Sequence, residues 1–197
     1  NREEYHDPRN SFLNDVLDRR IGIPISLSTV YLEVGRRIDC PLAGVAFPGH
    51  FLVRCDGTEG GPDIFIDPFN RGRLMTEEDC RTLIEEMYEG QLEYRPEFLG
   101  RAKNREILDR MINNLKGIYQ QQRNFHMALK LQQLLLCITP DRPEEIRDRG
   151  LIHYRLALIA EAAADLDRYL RLQPQAPDAP QIRARLEELQ RLVPQMN

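Results

Sequence analysis

His50 and Asp67 bracket the stretch GHFLVRCDGTEGGPDIFIDPF (49–69), which reads as two strands joined by a Gly-rich turn. His50 opens the first strand and Asp67 closes the second, so folding the hairpin sets an imidazole beside a carboxylate. That pair is part of a catalytic triad: the carboxylate orients the ring, and the ring takes a proton from a nucleophile. The nucleophile has to come from elsewhere in the chain.

The elements around this pair are legible from spacing. Counting by two from His50 puts Leu52 and Arg54 on its face and Phe51, Val53 and Cys55 on the other, while Asp67 shares a face with Phe65. Pro48-Gly49 makes a bend or bulge before the histidine. Upstream, Pro8 disfavours helix at Asp7, and Asn10 or Ser11 is placed to cap a helix carrying Phe12, Leu13, Val16 and Leu17. Arg19-Arg20 suits its last turn, and Gly22 stops it. Pro24 and Ser26 open a second helix, with Leu27, Val30, Tyr31, Val34 and Ile38 as one apolar stripe, and Asp39-Cys40-Pro41 breaks it. After the hairpin, Thr76 and Asp79 form a capping box for a third helix with Leu83, Ile84 and Met87.

Composition bounds the rest. The 197 residues suffice for one large domain or two small ones, and 42% hydrophobic with 29% charged residues is ordinary for a globular chain. A net charge of −4 and a pI near 5.7 argue against a general nucleic-acid binder. No apolar run approaches the roughly 18 residues of a membrane span. There is no signal-peptide pattern, and the chain starts at Asn1 without a Met, as a fragment does. Cys40, Cys55, Cys80 and Cys137 form no CxxC pair, which indicates neither zinc nor a disulfide framework and fits a reducing cytoplasm. No cofactor is indicated.

From about Arg101 the strand signal stops. The boundary is expected between Tyr94 and Lys103, where Pro96 and Gly100 act as breakers, giving domains at 1–95 and 101–197. In the second domain Pro140 and Pro174 lie 34 residues apart, each with an Ala twelve positions upstream, Ala128 and Ala162. Leu115 and Tyr119 mark the first unit's opening helix, and Gly150 and Tyr154 the second's. A small residue where two helices cross, repeating every 34 positions, is the tetratricopeptide pattern. Two such units, with a last helix over Gln181 to Leu192 as a cap, make a short solenoid.

Helix, strand with His, strand with Asp resembles the transglutaminase-like (papain-like) cysteine fold. The stretches NSFLNDVLDRRIGIPISLS, FPGHFLV and FIDPF are similar to the SirB1 family, a transglutaminase-like domain followed by tetratricopeptide repeats. The resemblance implies an α+β domain with a small antiparallel sheet packed on helices, then an all-α repeat region. It also implies a cysteine nucleophile at a helix start, where the dipole lowers a thiol pKa. His50-Phe51 and Asp67-Pro68 match the family's second and third motifs. Measured back from Asp39-Cys40-Pro41, the nucleophile position falls on Ile25 or Ser26, and neither is Cys. Ser26 is the implied replacement. A hydroxyl is far less acidic than a thiol, so Ser26 would need His50 as general base and an oxyanion hole.

Each of these residues also has a structural role to weigh. His50 fits beneath the Pro48-Gly49 bend, Asp67 fits a turn before Pro68, and Ser26 fits a helix start satisfying free amides. Cys55 points away from His50. Cys40 ends its helix, where the dipole raises a thiol pKa, and Cys80 sits near a helix start with nothing linking it to His50. Arg71 and Arg73 suit either an anion-binding cleft or an exposed loop. Three functions compete. The favoured one is a non-catalytic domain whose repeats bind a protein or peptide, in the cytoplasm, with no nucleic acid or membrane partner. The second is a serine-dependent hydrolase or acyltransferase using Ser26, His50 and Asp67. The third is a scaffold whose repeats only buttress the first domain. The balance favours a chain without enzymatic activity.

Overall fold

Two prolines set where the chain first turns helical. In the computed structural model, which describes residues 4–58 and 61–192, Pro8 starts a 3-10 turn whose first amides are served by Asp7, accepting the Arg9 N–H at 2.9 Å. Helix α1 (Leu13–Arg19) follows behind Phe12, which offers no side-chain cap. The expected cap, Asn10, is instead fully buried. Its Nδ2 donates to Glu4 O at 2.6 Å and its Oδ1 accepts from Arg19 at 3.3 Å. The helix ends at Arg20 in the left-handed region, ahead of Gly22.

Pro24 starts α2 (Pro24–Arg37). Its orientation corrects the sequence expectation. Tyr31, Val34 and Ile38 of the apolar stripe are 40%, 49% and 68% exposed, while Pro24, Ile25, Ser26, Ser28 and Gly35 are buried. Close approach decides this. A Cβ on Gly35 would meet Cys40 O and Leu42 Cδ1 at 2.8 Å each, so the helix lies against the next strand on its small-residue side.

Four strands follow as an antiparallel meander in the order β1 (Leu42–Val45), β2 (Leu52–Cys55), β3 (Ile64–Asp67), β4 (Arg73–Met75). Part of the Gly-rich connection between β2 and β3, residues 59 and 60, lies outside the described residues. One sheet face packs Val45, Leu52, Phe65 and Met75 against Cys80 and Ile84 of α3 (Glu77–Tyr88), whose start carries the Thr76–Asp79 capping box. Phe51 turns the other way, onto Ile23, Ile25 and Ile107.

The chain divides into two compact units, Asn1–Met111 and Ile112–Asn197, with the division inside α4 (Asn104–Gln121). The second unit continues through α5 (Phe125–Ile138), α6 (Pro143–Arg155), α7 (Ile159–Leu172) and α8 (Ala179–Leu192). Its elements repeat with the sequence: α7 starts and stops 34 positions after α5, and α6 ends 34 after α4. Arg123 and Ala157, also 34 apart, both turn the chain at positive φ, 56° and 57°. Ala128 and Ala162 are fully buried at the crossings.

The two crossings differ in chemistry. In the second repeat Gly150 faces Leu166, where an added Cβ would lie 2.8 Å from Leu166 Cδ2. Thirty-four positions earlier stand Lys116 and Gln132, both buried. Lys116 Nζ donates to Gln132 Oε1 at 2.9 Å and pairs with Glu145 at 3.5 Å, and Gln132 Nε2 donates to Glu145 Oε2 at 2.8 Å. Lys116→Met leaves the buried Glu145 with Arg142 as its cation, at 3.4 Å, and removes the buried ammonium between Gln132 and Glu145, so it should lower stability by about 3 kcal/mol. Urea unfolding would register this as a lower midpoint at unchanged slope. A loss below roughly 1 kcal/mol, the range of exposed pairs, would contradict the buried pairing.

Candidate functional site

The histidine is delivered by a tight turn. His50 N–H donates to Phe47 O at 3.1 Å, Pro48 takes the second position, and Gly49 takes the third at φ +66°, the pattern of a type II turn. Gly49 is required twice over, since a Cβ there would also meet Met87 Cε at 2.7 Å. Arg110 donates from Nη1 to the same Phe47 carbonyl at 3.1 Å, its guanidinium over the Phe51 ring, and burial lowers its pKa. His50 therefore stands two residues before β2 rather than within it.

The aspartate arrives by register. Pairing of Val53 with Ile66 sets Leu52 opposite Asp67, and His50 shares the face of Leu52. His50 Nε2 lies 2.9 Å from Asp67 Oδ2, with both side chains buried. The approach is bent rather than linear, and His50 Nε2 joins Ser11 Oγ as the buried polar atoms without an aligned hydrogen bond among the described residues.

Asp67 is otherwise a turn anchor. Its Oδ1 accepts the N–H groups of Phe69 and Asn70 at 3.0 and 3.1 Å, and its Oδ2 accepts Asn70 Nδ2 at 2.7 Å. Burial pushes its pKa up, but His50 and Asn70 beside it outweigh that and hold the carboxyl below its ordinary value. The Phe69 ring stands edge-on to His50 at 6.0 Å and to Tyr5 at 6.4 Å. A cleft of about 430 Å3 opens beside the imidazole, bordered by Tyr5, Phe69, Leu83 and Met87.

Ser26 is elsewhere engaged. It is fully buried in the first turn of α2, where Oγ donates to Asn10 O at 2.6 Å and accepts from Ile23 N at 3.0 Å. No hydrogen bond joins it to His50 among the described residues. Ser28, which sequence reasoning passed over, is equally buried and donates to Phe51 O at 3.3 Å, tying α2 to the residue after His50. Its seryl type in an apolar helix was the available signal.

The thiols stand apart. Cys80 is fully buried, and burial first, then the charges of Asp79, Glu77 and Asp67, push its pKa up to about 12. Cys137 is exposed, and Cys40 and Cys55 are half-buried. Arg73 pairs with Asp79 at 3.2 Å and Arg71 is exposed. Among the described residues no cluster of three or more His, Cys, Asp or Glu is arranged to hold a metal ion, and no helix is long and apolar enough to cross a membrane.

Comparison with known proteins identifies relatives along nearly the whole chain. Residues 1–113 match the Transglutaminase-like superfamily pattern, and residues 115–187 match a Tetratricopeptide repeat. A UPF0162 protein of Xylella fastidiosa is 39% identical over 192 residues, covering 96% of this chain and 68% of its own. Protein SirB1 of Salmonella typhimurium is 32% identical over 178 residues, covering 90% and 65%. The human F-box only protein 21 is 32% identical over 170 residues, covering 82% of this chain and 26% of that one.

The anchoring role of Asp67 sets a pH dependence. With its folded pKa depressed, its contribution is present in full above the unfolded value of about 3.9 and is lost as pH falls through the lower folded value. Asp67→Ala should therefore cost about 2 kcal/mol at pH 7 in denaturant unfolding, from orphaned donors, and less as the pH drops below about 4. A cost that stays constant across that range would contradict the depressed pKa.

Proposed function

The chain belongs to the SirB1-type family of transglutaminase-like proteins that continue into tetratricopeptide repeats, and from that premise we propose that it is non-catalytic and acts as a protein-interaction or regulatory module through its helical repeats. The observation that carries this reading is the state of Ser26. A serine nucleophile must give its proton to the base during attack. Ser26 instead donates its hydrogen bond to the Asn10 carbonyl at 2.6 Å, in a site with no exposed surface. Its oxygen also serves as the acceptor for Ile23 N, a helix-start duty.

Cys80 and the His50–Asp67 pair support the same reading. Cys80, near a helix start, is held protonated by burial, and the Asp67 carboxylate is occupied by the turn it closes. The repeats supply the working surface, since stacked helix pairs present side chains to extended peptides. The partner is accordingly a protein or peptide, and the place of action the cytoplasm. The cleft beside His50 favours one second reading, a serine-dependent hydrolase or acyltransferase with His50 as base and Asp67 orienting it. That reading requires Ser26 to leave both of its bonds and reach the imidazole.

A fluorophosphonate probe separates the two. Incubated with the native chain and mapped by mass spectrometry, it should leave Ser26 unmodified at neutral pH. Labelling of Ser26 that disappears in His50→Ala would overturn the non-catalytic reading.

A further inference from the structure

In the repeat unit, a hollow of about 470 Å3 lies at the ends of α4 and α6, bordered by Gln120, Gln121, Arg123, Phe125, Leu151 and Arg155. Its volume falls within the roughly 300–1,000 Å3 typical of ligand pockets. Its lining brings two cations together. Several arginines of this unit are matched to carboxylates, Arg147 to Asp178 at 2.8 Å, Arg149 to Asp165 at 2.6 Å and Arg185 to Glu188 at 3.1 Å, while among the described residues Arg168 and Arg183 are not, Arg183 donating to Pro174 O at 2.8 Å. Arg123 and Arg155 border the same hollow, and neither has a carboxylate partner among the described residues. Both are exposed. In a chain of net charge −4, two unmatched cations facing one cavity are a local excess of positive charge.

The helix ends explain why cations are tolerated there, because α4 and α6 both finish at this side and a helix C-terminus favours positive charge. They do not fill the guanidinium N–H groups, which are built to take a carboxylate in a two-pronged fashion. Between the charges, Phe125 and Leu151 give an apolar floor, and the amides of Gln120 and Gln121 can donate to and accept from an extended backbone. We propose that this hollow binds an acidic peptide segment, with Asp or Glu side chains on Arg123 and Arg155 and a neighbouring Leu or Phe on Phe125 and Leu151. The inference rests on the reading of the repeats as a protein-binding module and names the chemistry of the partner.

The test uses two pools of fluorescein-labelled synthetic hexapeptides, each with a central Leu or Phe. In one pool the flanking positions are Glu or Asp; in the other they are Gln or Asn. Fluorescence anisotropy is read at low and at physiological salt on the full chain, on Arg123→Gln/Arg155→Gln, and on Arg168→Gln/Arg183→Gln as a charge-matched control. The acidic pool should bind about tenfold more tightly than the amide pool, and more weakly as salt rises. The hollow's double variant should lose about that factor while the control keeps it. Equal binding of the acidic pool to wild type and hollow variant overturns this site. Equal binding of both pools overturns the acid preference while leaving the repeats as a peptide-binding module. Failure of both pools to bind counts against the site and the module alike.

Discussion

A carboxylate withdrawn from water needs its lone pairs filled, and Asp67, at 2% exposure, has them filled by three hydrogen bonds. The amides of Phe69 and Asn70 and the side chain of Asn70 donate to it, and the ring of His50 stands 2.9 Å away without an aligned hydrogen bond. The consequences spread outward. The 3-10 turn Pro68–Asn70 is fixed, so Phe69 stands against His50 and Tyr5. Gly72 N–H returns to Asp67 O at 2.9 Å and sends the chain into β4. The residue that would orient a catalytic imidazole is thus first the acceptor on which the connection from β3 to β4 depends.

Ser26 has the same character at the other end of the sheet's helix. It joins α2 to the segment before α1 through a short bond to a backbone carbonyl, and it fills the amide that precedes the helix. Removing either residue would leave buried donors or acceptors unpaired, whatever its effect on chemistry. A selection for folding alone can therefore retain a His, an Asp and a Ser in these places. This physical economy underlies the non-catalytic proposal and turns attention to the repeats, where one crossing is apolar at Gly150–Leu166 and the other is a buried polar network at Lys116, Gln132 and Glu145.

Much of the fold was legible because its signals are local or strictly periodic. Strand alternation grouped His50 with Leu52 and Arg54, and Asp67 with Phe65, and the 34-residue spacing of Ala128 with Ala162 marked both helix crossings. What escaped depended on tertiary packing. The α2 stripe through Tyr31, Val34 and Ile38 satisfied helical periodicity, yet the sheet took the side holding Ser28 and Gly35, because only small residues permit that approach. Asn10 has the chemistry of a cap but bonds Glu4 and Arg19 instead. Lys116 and Gln132 look like exposed helix residues in sequence, and only the fold brings Glu145 to them.

The central claim is that the Ser26 position is a structural one, closed to solvent and engaged with backbone rather than with His50. Its most direct measurement is the rate of alkylation of Ser26→Cys by iodoacetamide as a function of pH, mapped by mass spectrometry, with His50→Ala alongside. The account predicts a thiol that reacts only slowly in the folded chain at every pH, with no change on removing His50. A thiol reacting rapidly well below its reference pKa of about 8.5, and losing this in His50→Ala, would contradict it.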